Sequence, residues 1–242
     1  MNAATSRPPL LRLEGLHVHY GKSHILQGVD LDVREGEVVS LLGRNGSGRS
    51  TTMKAIMGLV PPSAGSVRLR ERRIAGLRPY SICRLGVGYV PEEREVFHNL
   101  SVEENLRMGE QPPVAGATRW TTEQMFDYFP RLKERRNTRA GSLSGGEQQM
   151  VTICRSLLGN PLVLLIDEPT EGLAPRIVAA VGEVVLDMRR RGVSVLLVEQ
   201  KLAIALKVSD RVCVMGHGRI VFDGCPDALT TNDRLLAEWL AV

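Results

Sequence analysis

The apolar run Val38 to Leu42 passes directly into Gly43-Arg44-Asn45-Gly46-Ser47-Gly48-Arg49-Ser50-Thr51. Residues Ser50 to Met57 then suit a helix, which Gly58 and Pro61-Pro62 stop. A buried strand, a glycine-rich turn and a helix in that order leave few folds open. The loop fits G-x-x-x-x-G-K-[ST] at every fixed position except the lysine, where Arg49 stands. Gly43, Gly46 and Gly48 let the backbone wrap so that its N–H groups, with Asn45 and Ser47 between them, converge on a polyphosphate. The helix start at Arg49, Ser50 and Thr51 adds the positive end of its dipole. Ser50 is placed to ligate Mg2+.

Two further motifs share this logic. Leu162-Val163-Leu164-Leu165-Ile166-Asp167-Glu168 is a buried strand ending in two carboxylates, which puts acid at the carboxyl edge of a sheet, where open α/β folds bind ligands. Asp167 is expected to hold Mg2+ and Glu168 to act as the general base toward an attacking water. In Leu143-Ser144-Gly145-Gly146-Glu147-Gln148, Ser144 and Glu147 have capping-box spacing. That segment is a second helix N-terminus suited to an anion, and two such sites in one chain suggest that they meet across a dimer.

The chain has 242 residues, 43% hydrophobic and 24% charged, enough for one or two compact domains and too apolar for disorder. Its longest apolar candidates, Leu162 to Ile166 and Val193 to Val198, are strand-sized, far short of the roughly 20 residues of a membrane span. Met1 to Pro9 is polar and lacks a signal-peptide core, so a cytosolic chain is expected. Cys83, Cys154, Cys213 and Cys225 are widely spaced and read as reduced thiols. The net charge is only +4, and two Trp, four Tyr and four Phe give no platform for stacking bases. Nucleic acid is therefore not expected as a partner. His17, His19 and His217 have no ligand-spaced companions for a catalytic metal.

Leu11 to Val18 and the alternation Val29, Leu31, Val33 read as strands beside the buried run at 38–42, which suggests a mixed sheet. Short strands follow at Ser66 to Leu69 and Val87 to Val90. Between about Asn99 and Arg139 the texture is polar and helical, with capping boxes at Ser101/Glu104 and Thr121/Gln124. From Ser144 strands and helices alternate: a helix to about Leu158, a strand at Leu162 to Ile166, a helix from Pro175 to Arg191, a strand at Val193 to Val198, a helix near Leu202 to Val208 and a hairpin around Gly216 to Gly218. Such alternation implies a largely parallel sheet with helices on its faces.

The co-linear order of the phosphate loop, Leu143-Ser144-Gly145-Gly146-Glu147-Gln148 and Leu164-Leu165-Ile166-Asp167-Glu168-Pro169-Thr170 resembles the ATP-binding cassette (ABC) family over Leu10 to Val242. The resemblance implies a P-loop NTPase fold of the ABC ATPase type, α/β, with a mixed β-sheet core, flanking helices and a helical subdomain. The core would be 1–92 and 141–242, the helical subdomain about 93–140 and the flexible N-terminal tail 1–9. It implies ATP and Mg2+ as ligands and a head-to-tail dimer. There the segment Ser144, Gly145, Gly146, Glu147 and Gln148 of one protomer would close over the γ-phosphate held by the other, and Tyr20 would stack on adenine.

Tyr89-Val90-Pro91-Glu92, Val102-Glu103-Glu104-Asn105-Leu106, Glu168-Pro169-Thr170-Glu171-Gly172-Leu173-Ala174-Pro175 and Leu197-Val198-Glu199-Gln200 resemble the ATPase subunits of branched-chain amino acid importers, the LivF-like group, and their urea/amide relatives. Glu92 stands where the wider family has a glutamine and can face Mg2+ or the attacking water. Gln200 stands where that family has a histidine and can donate an amide hydrogen bond to the γ-phosphate without gaining charge. The resemblance further implies two transmembrane permease subunits, a second ABC ATPase subunit as homo- or heterodimer and, indirectly, a solute-binding protein outside the membrane. The chain would then sit peripherally on the cytoplasmic face of the plasma (inner) membrane. Arg94, Val96 and Phe97 are candidates for the permease-facing surface.

Arg49 separates binding from turnover in these expectations, because a planar guanidinium is larger than an ammonium and cannot sit as a compact charge among three phosphates. Three readings stay open: an importer ATPase, a degenerate subunit that holds ATP while a partner hydrolyses it, and an ABC protein acting on nucleic acid or as a regulator. A single cassette of this length, without coiled-coil or zinc insertions, favours the first.

Overall fold

The computed structural model describes residues 8–240. The notional tail at 1–9 therefore falls mostly outside the described residues, and its last member, Pro9, already opens a strand.

The elements run β1 (Pro9–Tyr20), β2 (Ser23–Arg34), β3 (Val38–Gly43), α1 (Arg49–Ile56), β4 (Ala64–Leu69), β5 (Arg72–Arg73), α2 (Pro79–Arg84), β6 (Val87–Val90), α3 (Val102–Arg107), α4 (Thr122–Tyr128) and α5 (Pro130–Glu134). They continue with α6 (Gly145–Leu157), β7 (Val163–Asp167), α7 (Pro175–Arg190), β8 (Ser194–Val198), α8 (Leu202–Val208), β9 (Arg211–Gly216), β10 (Arg219–Gly224), α9 (Pro226–Thr230) and α10 (Asp233–Leu235).

The strands make two sheets. One is antiparallel, in the order β2-β1-β4-β5, and the other has the order β10-β9-β3-β8-β7-β6. In the second, β9, β3, β8, β7 and β6 are parallel, and β10 adds an antiparallel edge. The alternating strand β2 and the buried strand β3 are thus in different sheets, although they adjoin in sequence. Their burial patterns give the reason: β2 buries one face, whereas β3 is buried along Val38–Leu42 and needs cover on both sides.

Strand alternation divides the core. Val39, Leu41, Leu165, Leu196 and Cys213 face the antiparallel sheet and α1, packing with Leu11, Val18, Leu26, Met53 and Ile56. Leu164, Ile166, Val195 and Leu197 point the other way, toward Phe126 of α4, Met150 and Ile153 of α6, and Val184 and Met188 of α7. Trp120, Met125 and Leu132 of the helical segment belong to this second cluster, so the segment expected at 93–140 is packed onto the sheet's core. All three sequence-predicted capping boxes form, at Ser101, Thr121 and Ser144. Cys154 and Cys213 are buried and Cys83 and Cys225 exposed, all four as free thiols. Among the described residues no helix is long and apolar enough to cross a membrane.

Candidate nucleotide site

The loop 43–48 leaves the carboxyl end of the central strand β3 and enters α1. Gly43, with φ 149°, is required by packing: a Cβ there would stand 2.4 Å from the Met215 carbonyl oxygen and 2.8 Å from Ser47 Oγ. Gly46 and Gly48 have φ 80° and 110°, the left-handed side of backbone space. Gly48 is the N-cap of α1, and no side chain caps this helix. Its first turn, Arg49, Ser50 and Thr51, carries no acid, so its amide ends and dipole remain available to an anion. Ser47 Oγ is buried without a hydrogen-bond partner at the same place.

β7 and β8 bring the acids to this loop. Ser50 donates to Asp167 Oδ1 at 3.2 Å, while Asp167 Oδ2 is buried and unpartnered. Burial pushes the Asp167 carboxyl up to about 6. Glu168 follows with φ 47°, a left-handed conformation unusual outside glycine, and its N–H is held by the Val198 carbonyl at 2.9 Å. Burial pushes its carboxyl above the ordinary range, while Arg49 and the Gln200 amide pull it back. An orphaned hydroxyl, an orphaned carboxylate oxygen and a cradle with no room for a Cβ are what a polyphosphate with its divalent cation would satisfy.

Arg49 folds inward. Its guanidinium is 4% exposed and pairs with Glu168 Oε1 at 2.9 Å, donates to Asn45 Oδ1 at 3.1 Å and reaches the Glu199 carbonyl at 3.4 Å. The Gln200 amide nitrogen donates to Glu168 Oε2 and, at 3.2 Å, to Asn45 Oδ1. Loop cation, loop amide, strand-end acid and Gln200 form one network. Glu92 is exposed, and its carboxylate gathers with those of Glu168 and Glu171 within 4.8 Å. Glu92 is thus grouped with Glu171, which no sequence signal marks, and not with the Ser50 and Asp167 expected from the sequence. Tyr20, 47% exposed at the end of β1, presents its ring to solvent and is not packed in the sheet.

At the start of α6, Ser144 Oγ accepts the Glu147 N–H, and Glu147 Oε2 accepts the Ser144 N–H and hydroxyl. Arg135 donates to both Glu147 oxygens at 3.1 and 2.9 Å. Burial opposes ionisation of Glu147, but these bonds hold its carboxyl below the usual glutamate range. Gln148 donates to the Ala140 carbonyl at 3.1 Å. Both side chains are thus engaged within the chain, and Gly145 and Gly146 are half-buried, Gly145 against the Arg94 guanidinium and Gly146 beside Ile177.

The segment 93–97 departs from the expected surface. Val96 is buried in the core and cannot face a partner. Arg94 donates to the Glu171 carbonyl at 3.0 Å and lies against Gly145, so it braces the loop after β7 and the start of α6. Phe97 alone of the three is well exposed, with the Arg155 guanidinium 4.7 Å over its ring. Asn105, buried in α3, fixes this stretch through the Phe97 N–H and the Phe97, Leu100 and Ser101 carbonyls.

Comparison with known proteins follows the same outline. Residues 26–171 match the family model described as ABC transporter. The high-affinity branched-chain amino acid transport ATP-binding protein BraG of Pseudomonas aeruginosa is 41% identical, over 96% of this chain and 99% of its own. The probable branched-chain amino acid transport ATP-binding protein LivF of Archaeoglobus fulgidus is 34% identical over 93% and 96%. The lipopolysaccharide export system ATP-binding protein LptB of Acidithiobacillus ferridurans is 33% identical over 96% of each. Among solved structures, a nucleotide-free ATP-binding cassette from an ABC transporter superposes with a TM-score of 0.83 at 26% identity, covering 97% and 99%.

Proposed function

The chain belongs to the ABC transporter family, and from that premise we propose that it is the ATP-binding and ATP-hydrolysing subunit of an importer for branched-chain or other hydrophobic amino acids. The observation that carries the nucleotide chemistry is the meeting of Ser50 with Asp167, whose second oxygen is buried and unpartnered. The solute class rests on likeness to BraG and LivF.

In this reading the backbone of 43–48 and the start of α1 bind the β- and γ-phosphates, and Tyr20 covers the adenine. Ser50 and Asp167 would hold Mg2+, which supplies charge neutralisation across the phosphates when bound, and Glu92, gathered with Glu168 and Glu171, would face the attacking water. Glu168 orients a water and accepts its proton as the water oxygen bonds to the γ-phosphorus and the bond to the β–γ bridging oxygen breaks. Gln200 donates its amide to a γ-phosphate oxygen. Gly145 and Gly146, with Ser144, would meet the γ-phosphate of a second ATPase subunit. The pair would sit peripherally under two permease subunits, served by a solute-binding protein, as one cassette domain per chain.

The buried Arg49–Glu168 ion pair supports a second reading, in which this chain holds ATP and a different partner subunit hydrolyses it. While the pair persists, the base is engaged and the loop cation is turned away from the phosphates. Mg-ATP binding and steady-state hydrolysis by the purified chain, with Glu168→Gln and Arg49→Lys, separate the two. A working motor binds ATP and loses on the order of 10²- to 10⁴-fold in turnover in Glu168→Gln, as removal of a general base does. Tight binding without turnover, restored by Arg49→Lys, selects the holding subunit. Turnover untouched by Glu168→Gln defeats the assignment of the base.

A further inference from the structure

Behind Glu168 two chain segments converge, residues 167–171 leaving β7 and residues 198–201 leaving β8. Glu199 stands between them, 2% exposed. Its Oε1 accepts the backbone N–H groups of Gln200 and Lys201, both at 2.9 Å, and its Oε2 accepts the Thr170 hydroxyl at 2.7 Å. Lys201 Nζ closes the loop by donating to the Thr170 carbonyl at 3.0 Å, and Thr170 is fully buried. A buried carboxylate is costly unless its lone pairs are filled, and here three donors fill them. Packing does not demand an acid at this position, since β8, the strand that leads into it, is Ser-Val-Leu-Leu-Val and buried throughout.

The consequence appears one residue on. With both following N–H groups tied to one carboxylate oxygen, the backbone at Gln200 has its direction fixed, and the Gln200 amide reaches Glu168 and Asn45. The Glu199 carbonyl also receives Arg49 Nη1. We propose that Glu199 is a positioning residue for the γ-phosphate end of the site. It aims the Gln200 amide and, through Thr170, ties that amide to the segment bearing Glu168 and Glu171, so that the phosphate sensor and the base move together. The proposal rests on the reading of this site as a nucleotide site.

The test is equilibrium binding of Mg-ATP and Mg-ADP to the purified full chain, a readout independent of turnover. Glu199→Ala is expected to lower the preference for ATP over ADP by about tenfold, the scale of one buried hydrogen bond lost, with ADP affinity unchanged. Gln200→Ala should give the same loss, and the double variant no more than either single one. Glu199→Gln should restore most of the preference, because its amide oxygen still accepts both N–H groups and its NH2 can face Thr170. If Glu199→Ala does not fold, Thr170→Val removes only the hydroxyl and should show the same selective loss at about threefold.

An unchanged ATP preference, equal weakening of ATP and ADP, or a Glu199→Ala loss that adds in full to that of Gln200→Ala would overturn the proposal. A wild type that binds neither nucleotide would instead overturn the nucleotide reading beneath it.

Discussion

The chain builds two glycine-flanked helix N-termini and finishes them in opposite ways. At α1 the N-cap is Gly48, no side chain caps the helix, no acid sits in the first turn, and the neighbouring Ser47 hydroxyl is buried and idle. At α6 the N-cap is Ser144, its capping box is complete, and Arg135 neutralises the box's own glutamate. The dipole argument applies equally to both. What differs is whether the protein has already spent it: the first terminus is left for a ligand, while the second is stable without one. A glycine-rich helix start is thus left open by its own chain only where capping groups are missing.

The largest expected effect tests the open terminus. Gly43→Ala places a methyl against the Met215 carbonyl at 2.4 Å in a left-handed backbone conformation. The main chain on both sides would have to shift, at about 1–3 kcal/mol. Thermal or denaturant unfolding should register that loss, and Mg-ATP affinity should fall with it. A variant of wild-type stability would mean that the cradle is looser than its geometry implies, and the contrast with α6 would weaken.

Much of this contrast was legible in the sequence because it is local. The run from Val38 to Met57 carries its own strand, turn and helix signals, and Ser144 with Glu147 states its capping box in four residues. The division into two sheets was not legible, since adjacent β2 and β3 are separated by what lies across their faces. Nor were α2, the two-residue β5 and the helices after β10, which are short and held by contacts distant in sequence. Val96 looked like surface because its neighbours are charged; only the packing of the helical segment on Ile166 and Leu164 buries it. Arg49 was visible as a departure, but its inward ion pair with a residue 119 positions away was not. The signal for Glu199 is an acid directly after an apolar strand and next to a polar residue assigned to phosphate.

The closed terminus gives the next effect in size. Ser144→Ala removes the hydroxyl that receives the Glu147 N–H and should cost about 1 kcal/mol of stability. It also strips Glu147 of one of the bonds that lower its proton affinity. Because the folded Glu147 carboxyl lies below its unfolded value, its contribution is present above the usual glutamate range and is lost as pH falls through the depressed folded value. Melting temperature followed from neutral pH into acid should therefore fall less steeply in Glu147→Gln than in the wild type. Parallel curves would show that the box is not electrostatically coupled to folding.

The smallest effect has the opposite sign and is the sharpest test of what α6 is for. Gly146 has an ordinary helical backbone, and a Cβ there would meet Ile177 Cγ1 and Cγ2 at 3.4 and 3.6 Å and Leu173 Cδ2 at 3.8 Å, all normal van der Waals contacts. In the isolated chain Gly146→Ala should gain about 0.5–1 kcal/mol, because alanine loses less backbone entropy than glycine on entering a helix. If the glycine serves only folding, that gain comes without functional loss. If a second subunit's γ-phosphate must approach this backbone, the added methyl stands in its way, and ATP-driven dimerisation should weaken while the monomer melts later. Unfolding and sedimentation with Mg-ATP, using Glu168→Gln to prevent turnover, measure the two together. A stabilised monomer that dimerises as well as its parent would leave the α6 terminus as a helix cap and nothing more.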